Sequence, residues 1–277
     1  MGRACGLRYH RRMMNVTRPV GDYLREWRQR RRMSQLELAC EAEISTRHLS
    51  FMETGRALPS RAMVLRLAER LDMPLRERNA LLVAAGYAPV YPERRLDDPA
   101  LQAARKAMDL VLAGHEPYPA LAVDRHWTLV AYNKAVPPLL AGIAPELLAS
   151  PCNVLRLSLH PDGLAPRIAN YAQWRNHLFE RLRRQIEAST DPALADLLNE
   201  LMALPVPAGV AVSRGEEDLG GVAVPMQLHT EHGRLSFIST TTVFGTPVDV
   251  TLAELALETF FPADTQTVEV LRRLSNT

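Results

Sequence analysis

Lysine is almost missing from this chain, since only Lys106 and Lys134 among its 33 basic residues are lysines. Cysteine is scarce as well, with Cys5, Cys40 and Cys152 standing far apart. Thiols without paired spacing indicate neither a disulfide framework nor a zinc ribbon. Nor does the sequence contain an apolar run near the roughly 20 residues that cross a bilayer. We therefore expect a soluble, cytoplasmic protein that contacts no membrane and holds no metal or cofactor.

The charge that is present is unevenly distributed along the chain. Residues 1–95 hold 19 arginines and 10 acidic residues, a net charge of +9. Residues 96–277 hold 14 basic and 21 acidic residues, a net charge of −7. A basic front part and an acidic rear part indicate a nucleic-acid-binding module joined to a domain with another task.

The front part has the apolar spacing of short helices. Between Val20 and Tyr87 apolar residues recur three and four positions apart, with tight breaks between the periodic segments. Ser34 followed by Glu37 predicts a capping box, and Ser45 predicts the N-cap of the next helix. The fold class expected here is an all-α five-helix domain.

The rear part mixes helical and strand patterns. Two β-rich runs flank a turn within Ala120–Ala135, helical spacing returns at 167–204, and a run from Val248 to about Phe260 has strand character. This mixture predicts an α+β domain with an antiparallel sheet. Prolines after Ala88 predict a linker between the two parts. The expected boundaries are a disordered basic arm at 1–15, the helical domain at 16–87, the linker at 88–98, the α+β domain at 99–265 and a C-terminal tail at 266–277.

The segment Ser34–Gly55 fits two helices joined by a short turn, with small Ala39 where the helices would cross. Such a pair can present its second helix to the major groove of DNA. The segment resembles the xenobiotic-response-element (XRE, Cro/C1-type) helix-turn-helix family, over roughly residues 20–86. One position departs from that pattern, because Glu43 stands where the turn usually has glycine. A left-handed residue there would be strained by about 1 kcal/mol.

The resemblance implies a set of DNA-contacting residues. Gln35 would contact the phosphate backbone, whereas Thr46, Arg47 and Phe51 are best placed for base edges. Arginine can bind guanine in a bidentate manner, and phenylalanine can pack on a thymine methyl group. The full set of candidates is Gln35, Ser45, Thr46, Arg47, His48, Phe51, Arg56 and Arg61, the last two being assigned to phosphates. The alternative is a protein-interaction bundle whose arginines are only solvated.

Three rear segments resemble a second family. The runs Pro119–Ala135, Leu155–Trp174 and Val250–Asp264 are similar to the ligand-binding domain of MmyB-like regulators. That resemblance implies a PAS-like α+β fold with an apolar cavity for a small hydrophobic, fatty-acid-like effector. Candidate ligand-binding residues are Tyr132, Asn133, His160, Arg167, Trp174 and His177, with Arg167 assigned to a carboxylate head group.

Signals of catalysis are weak. His229, Glu231 and His232 lack the spacing of a metal site, and nothing provides a base for Cys152. We therefore expect a non-enzymatic, one-component transcriptional regulator that binds double-stranded operator DNA as a homodimer. The alternatives are a rear domain that recruits another protein without any small ligand, and an enzyme with a DNA-binding appendage.

Overall fold

The computed structural model describes residues 18–207 and 224–275. The predicted basic arm at residues 1–15 lies outside this part of the chain. The chain divides into two units, Met1–Pro92 and Glu93–Thr277, and the division falls inside the predicted linker. Across the described residues, no helix combines the length and apolar character needed to cross a membrane.

The described part of the first unit is all helical. The buried side chains Leu24, Trp27, Leu49 and Leu67 belong to one apolar core shared by its helices. The helices are α1 (Val20–Arg30), α2 (Gln35–Glu41), α3 (Thr46–Glu53), α4 (Arg61–Arg70) and α5 (Leu75–Ala84). The expected five-helix domain is confirmed.

Serine side chains begin three of these helices. At α2 the Ser34 hydroxyl accepts a hydrogen bond from the Glu37 amide at 3.2 Å, and the Ser34 amide donates to the Glu37 carboxylate at 2.6 Å. This is the expected capping box. Ser45 and Ser60 cap α3 and α4 in the same way, each satisfying an amide that the helix leaves without a partner.

The turn between α2 and α3 is left-handed at Glu43, where φ is 57°. The next amide, that of Ile44, donates to the Ala39 carbonyl at 2.9 Å, so the backbone closes α2 as a glycine would allow. Arg32 and Asp72 take the same conformation after α1 and α4. The turn expected at this glycine position is therefore formed by a residue that is strained in it.

Gly21 allows α1 and α3 to approach closely. A Cβ atom at this position would lie 2.5 Å from the Met52 carbonyl oxygen and 2.6 Å from that of Glu53. Only a residue without a side chain fits such a contact. The start of α1 therefore rests directly on the end of α3.

The second unit is an antiparallel sheet with helices on both faces. Its helices are α6 (Gln102–Gly114), α7 (Pro145–Leu148), α8 (Val154–Leu159), α9 (Tyr171–Ser189), α10 (Pro192–Ala203), α11 (Val250–Ala253) and α12 (Thr265–Ser275). Its strands are β1 (Ala120–Val123), β2 (Leu129–Tyr132), β3 (Met226–Thr230), β4 (Gly233–Val243) and β5 (Ala256–Pro262). The fold class expected from sequence, an α+β domain of PAS type, is confirmed.

The strand order β2-β1-β5-β4-β3 places the last strand at the centre of the sheet. There Glu258 pairs with Leu121 of β1 and with Thr241 of β4. One face of the sheet packs Leu257 against Met108 and other α6 side chains. The opposite face contributes to the larger core formed with α8, α9 and α10. A central strand covered on both faces positions its side chains firmly.

Two sequence-based assignments need correction, namely the last strand and the C-terminal tail. Val248–Phe260 is not one strand, because Asp249 caps the short helix α11 before β5 begins. The predicted tail at 266–277 is largely the helix α12, whose Val270 and Leu271 are buried. The predicted linker is anchored at both ends: Asn79 bonds the backbone of Tyr91, and Asp249 pairs with Arg94.

We predict that Glu43→Gly stabilises the first unit, because glycine removes the strain of a left-handed residue at little cost in contacts. The melting temperature followed by the indole signal of Trp27, the tryptophan of this unit, is expected to rise by roughly 2–8 °C. Glu41→Gly is the matched control, since it places glycine in a right-handed helical turn and is expected to lower that temperature. A decrease in both variants would contradict the strain argument.

Candidate nucleic-acid interface and ligand cavity

Helix α3 presents a polar outer surface. Arg47 and His48 are exposed, and Thr46 and Phe51 are half-buried, whereas Leu49 is fully buried on the opposite side. The Ser45 hydroxyl accepts a hydrogen bond from the His48 amide at 3.2 Å and so caps the helix. The predicted base-reading residues therefore occupy the solvent side of one short helix.

Phe51 holds two arginines together on that surface. The guanidinium carbon of Arg47 lies 5.3 Å from the centroid of the Phe51 ring, and that of Arg56 lies 5.8 Å from it. A ring attracts cations at such distances. The two arginines and the ring thus form a cationic cluster, Arg47–Phe51–Arg56, that runs from the first turn of α3 to just beyond its end. Arg61 is exposed at the first turn of α4.

A buried carboxylate, that of Glu53, fixes the orientation of α3. Arg28 of α1 donates from Nε to Oε1 at 2.6 Å and from Nη2 to Oε2 at 2.9 Å. Gln35 of α2 donates from Nε2 to Oε2 at 2.8 Å. Three helices therefore meet at one side chain, and charge-assisted bonds of this kind are directional.

Glu53 and Arg28 are both charged in this arrangement. Burial alone would raise the pKa of Glu53, but the hydrogen bonds from Arg28 and Gln35, together with the Arg28 charge, lower it below its ordinary value. The bond to Glu53 raises the pKa of Arg28. Since an amide nitrogen carries two hydrogens, Gln35 keeps one donor for the predicted phosphate contact.

The second unit contains an apolar cavity of about 100 Å³ between the sheet and the helices α8 and α9. All five strands contribute to its wall, for example through Leu121, Leu129, Met226, Phe237 and Phe260. Trp174 and Leu178 of α9 line the helical side. A concave apolar space with few polar groups is typical of a small-molecule site.

The polar groups on this wall are few and include an ion pair. Arg181 of α9 donates from Nη1 to Oε2 of Glu258 at 2.9 Å and from Nη2 to Oε1. Thr241 donates to Oε1 of the same carboxylate at 3.0 Å. The Arg181 guanidinium lies 4.5 Å from the centroid of the Trp127 ring. Ser158 and Ser239 are the other polar side chains of the lining.

Of the six predicted ligand-binding residues, the structure places Trp174 on the cavity. Asn133 is buried elsewhere, where it donates to the carbonyls of Leu112 and Tyr118 and accepts from the Ala120 amide. It therefore joins β1 to the end of β2, to α6 and to the segment after α6. Tyr132 points outward from β2 and is 53% exposed.

The other three candidates also lie off the cavity. Arg167, expected to bind a carboxylate, instead donates to the backbone carbonyls of Leu139, Ala141 and His229. The His160 ring accepts from the Asp162 amide. His177 stacks on Trp174 behind the wall, and burial lowers its pKa.

Sequence reasoning missed Arg181 and Glu258, although a signal existed for each. Arg181 follows Trp174 and Leu178 at helical spacing, so it belongs to the apolar face of α9. Glu258 interrupts an apolar, β-rich run. A charge that falls inside an apolar pattern predicts a buried, paired group.

Two family models match this chain. Residues 104–274 match the model described as MmyB-like transcription regulator ligand binding domain. Residues 19–81 match the model described as helix-turn-helix domain. Both sequence-based resemblances are confirmed. The regulator family to which these descriptions point is not a class of enzymes.

Comparison with individual proteins gives matches of lower similarity or limited coverage. A protein of Methanoculleus marisnigri (strain ATCC 35101 / DSM 1498 / JR1), provisionally described as an HTH-type transcriptional regulatory protein, is 36% identical over 118 residues, 41% of this chain. The match spans 38% of that relative's length. A solved structure described as an RNA-binding light-oxygen-voltage receptor is 14% identical, with a TM-score of 0.24, over 93% of this chain and 63% of the other. A likeness at that score supports no conclusion.

We predict that Glu53→Gln destabilises the first unit by about 3–5 kcal/mol, because Arg28 then keeps a partly buried charge without its counter-ion. The unfolding of the first unit is measured through the indole signal of Trp27. Glu26→Gln is the matched control: it removes a more exposed carboxylate that pairs with Arg30 of the same helix, and it should cost at most about 1 kcal/mol. Equal losses in the two variants would contradict the central position assigned to Glu53.

The pH dependence follows from the lowered pKa of Glu53. Its stabilising effect is complete above the ordinary carboxyl pKa, near 4, and is lost as the pH falls through the lower pKa of the folded state. We therefore predict that the melting temperature of the first unit drops on acidification below about pH 4. This drop should be smaller in Glu53→Gln, measured on the same indole signal.

Proposed function

Because this chain belongs to the MmyB-like family of transcription regulators, we propose that it is a one-component switch that couples a small hydrophobic effector to operator binding. It is a DNA-binding transcriptional regulator with a ligand-binding-type domain. We propose three further features: the residues that contact DNA, a homodimeric state, and a fatty-acid-like effector bound in the cavity of the second unit.

The exposed surface of α3 is the observation that supports the proposed contacts with DNA bases. Arg47 presents its guanidinium beside Phe51, where it suits a guanine edge, and the Phe51 ring suits a thymine methyl group. Thr46 and His48 flank them on the same helix. Gln35, Arg56 and Arg61 are assigned to phosphates, which determine affinity and its salt dependence more than sequence preference, and Ser45 completes the proposed set.

A homodimer is proposed from the geometry of recognition. A single helix of eight residues reaches few base pairs. Two copies reading half-sites one helical turn apart gain the affinity that one small module lacks. A symmetric operator would then match the two-fold axis of the protein.

The apolar cavity supports the effector proposal. At about 100 Å³ it has room for a short apolar molecule, and a longer acyl chain would require the helices to open. Regulation requires that the effector bind two arrangements of the protein unequally. A rear unit that instead recruits a protein partner would need no such occupant.

We predict that Arg47→Ala abolishes most discrimination between operator and random DNA, a loss of about 1–3 kcal/mol. Arg56→Ala is the matched variant, because it removes the other arginine beside Phe51. It should weaken binding to all sequences alike and lower the salt slope by about 0.9. Binding titrations of the full chain at several salt concentrations measure both effects. An unchanged sequence preference in Arg47→Ala would refute its role.

We also predict that protein denatured after purification releases a small apolar molecule detectable by mass spectrometry. Leu178→Trp, which fills the cavity, should remove that molecule and the response of DNA affinity to it. Leu178→Met conserves the side-chain volume and is the control that should retain both. If no molecule is released and no lipid alters DNA affinity, the protein-recruiting alternative is favoured.

A further inference from the structure

A second, polar pocket lies beside the apolar cavity of the second unit. It has a volume of about 380 Å³. The short 3₁₀ helix Pro137–Leu140, the turn between β3 and β4, and Leu274 of α12 contribute to its wall. The same wall contains the guanidinium of Arg167 and two histidines, His229 and His232. Its lining therefore includes groups of the kind that bind anions.

Backbone carbonyls hold the Arg167 side chain in place. Its Nε donates to the carbonyl of His229 at 3.2 Å, and its Nη1 donates to those of Leu139 and Ala141 at 3.0 and 3.2 Å. Neutral carbonyls orient a guanidinium but leave its charge uncompensated. Its Nη2 donates to no described group, so two hydrogens remain available on a fixed cation.

Arg167 also lacks a counter-ion among the described residues. Arg28, Arg95 and Arg156 bond carboxylates, which raise their pKa values. The pKa of Arg167 is instead lowered, and burial is the cause. A partly buried charge is screened less by solvent than an exposed one, so it attracts an anion more strongly. Arg167 is therefore a cation that an anion from solution can neutralise.

The turn between β3 and β4 adds donors to the same pocket. The Thr230 hydroxyl donates to the Gly233 carbonyl at 2.8 Å and accepts from the His232 amide at 3.2 Å, which fixes the turn. The His229 ring has no hydrogen-bond partner among the described residues. An imidazole has at least one N–H donor whether it is neutral or charged. The two rings can therefore complete a site whose charge comes from Arg167.

Glu231 is the residue of this lining that opposes an anion. Its side chain is 87% exposed, and its Oε1 lies 3.5 Å from Nε2 of His232. Charges that are exposed to this degree interact weakly through water. Glu231 therefore lowers the affinity of the pocket for an anion without abolishing it.

We propose that this pocket is a binding site for a small oxyanion, a carboxylate or a phosphate, held by the free Nη2 of Arg167 and by the rings of His229 and His232. The site is separate from that of the hydrophobic effector and gives the second unit a second ligand. Leu139 lines the pocket and the apolar cavity alike. A carboxylate carried by the effector is therefore the other source of the same chemistry, and the test separates the two sources.

The test titrates the full chain at constant pH 7 with inorganic phosphate, and with sodium chloride at matched ionic strength to account for screening. Imidazole signals of ¹³C-labelled histidine report on the pocket through His229 and His232. Indole signals of Trp127 and Trp174 report on the apolar cavity. We expect phosphate to shift the two histidine signals well beyond the effect of chloride and to leave both indole signals in place. Equal shifts with chloride and phosphate would show screening alone and refute the site.

Two variants test the charges of the pocket. Arg167→Lys keeps a cation, but one ammonium group cannot bond the carbonyls and also present a free edge, so phosphate affinity should fall at least about tenfold. Glu231→Gln removes the opposing charge and should raise phosphate affinity roughly two- to fivefold. Glu187→Gln is the matched control, since it removes an exposed carboxylate of α9 that does not line the pocket. A gain of affinity also shows that the Glu231→Gln chain is folded, so the test holds even where Arg167→Lys fails to fold.

Two results with these variants would overturn the proposal. One is a Glu231→Gln chain that binds phosphate no more tightly than the Glu187→Gln chain. The other is a folded Arg167→Lys chain that keeps the native affinity.

Hexanoate distinguishes the two sources of the oxyanion. We expect it to move the histidine signals and the indole signals with different affinities, because the pocket and the cavity are then occupied independently. If both sets of signals move with a single affinity and phosphate competes for both, one effector molecule spans the pocket and the cavity. The separate site is refuted by that result, while the effector proposal stands.

Discussion

The buried Glu53 carboxylate is the interaction on which the DNA-reading unit depends. A carboxylate out of water must be paired, and here its partners come from α1 and α2 while it belongs to α3. The angles of these bonds determine where α3 stands relative to the other two helices. Gly21 makes this possible, because a side chain there would collide with the α3 carbonyls at Met52 and Glu53.

The second unit also contains a buried glutamate that pairs with an arginine. Arg181 and Glu258 also pair out of water, but they do so on the wall of a cavity and not between close-packed helices. Removing either partner would leave the other without its counter-ion on a largely apolar wall. In the first unit the pair positions a helix against two others, whereas in the second it joins α9 to the central strand of the sheet.

Local patterns predicted much of this molecule. Ser34, Glu37 and Ser45 predicted two helix starts, because capping depends on residues three positions apart. Glu43 was correctly placed in a left-handed turn. The cavity residues were predicted poorly: Arg167 and Asn133 bond backbone carbonyls instead. Amphipathic character within an apolar stretch does not tell which face of the element a side chain occupies.

The sequence by itself determined the two-unit organisation, the helix-turn-helix segment and the PAS-like class of the second unit, since these follow from periodicity, capping and charge over short distances. Only the tertiary structure decided that Glu53 is paired with Arg28, 25 residues away, and Glu258 with Arg181, 77 residues away. Such pairs depend on which helix lies against which strand. The physical reason is that the energy of a buried charge depends on its neighbours in space, and local sequence specifies neighbours only along the chain.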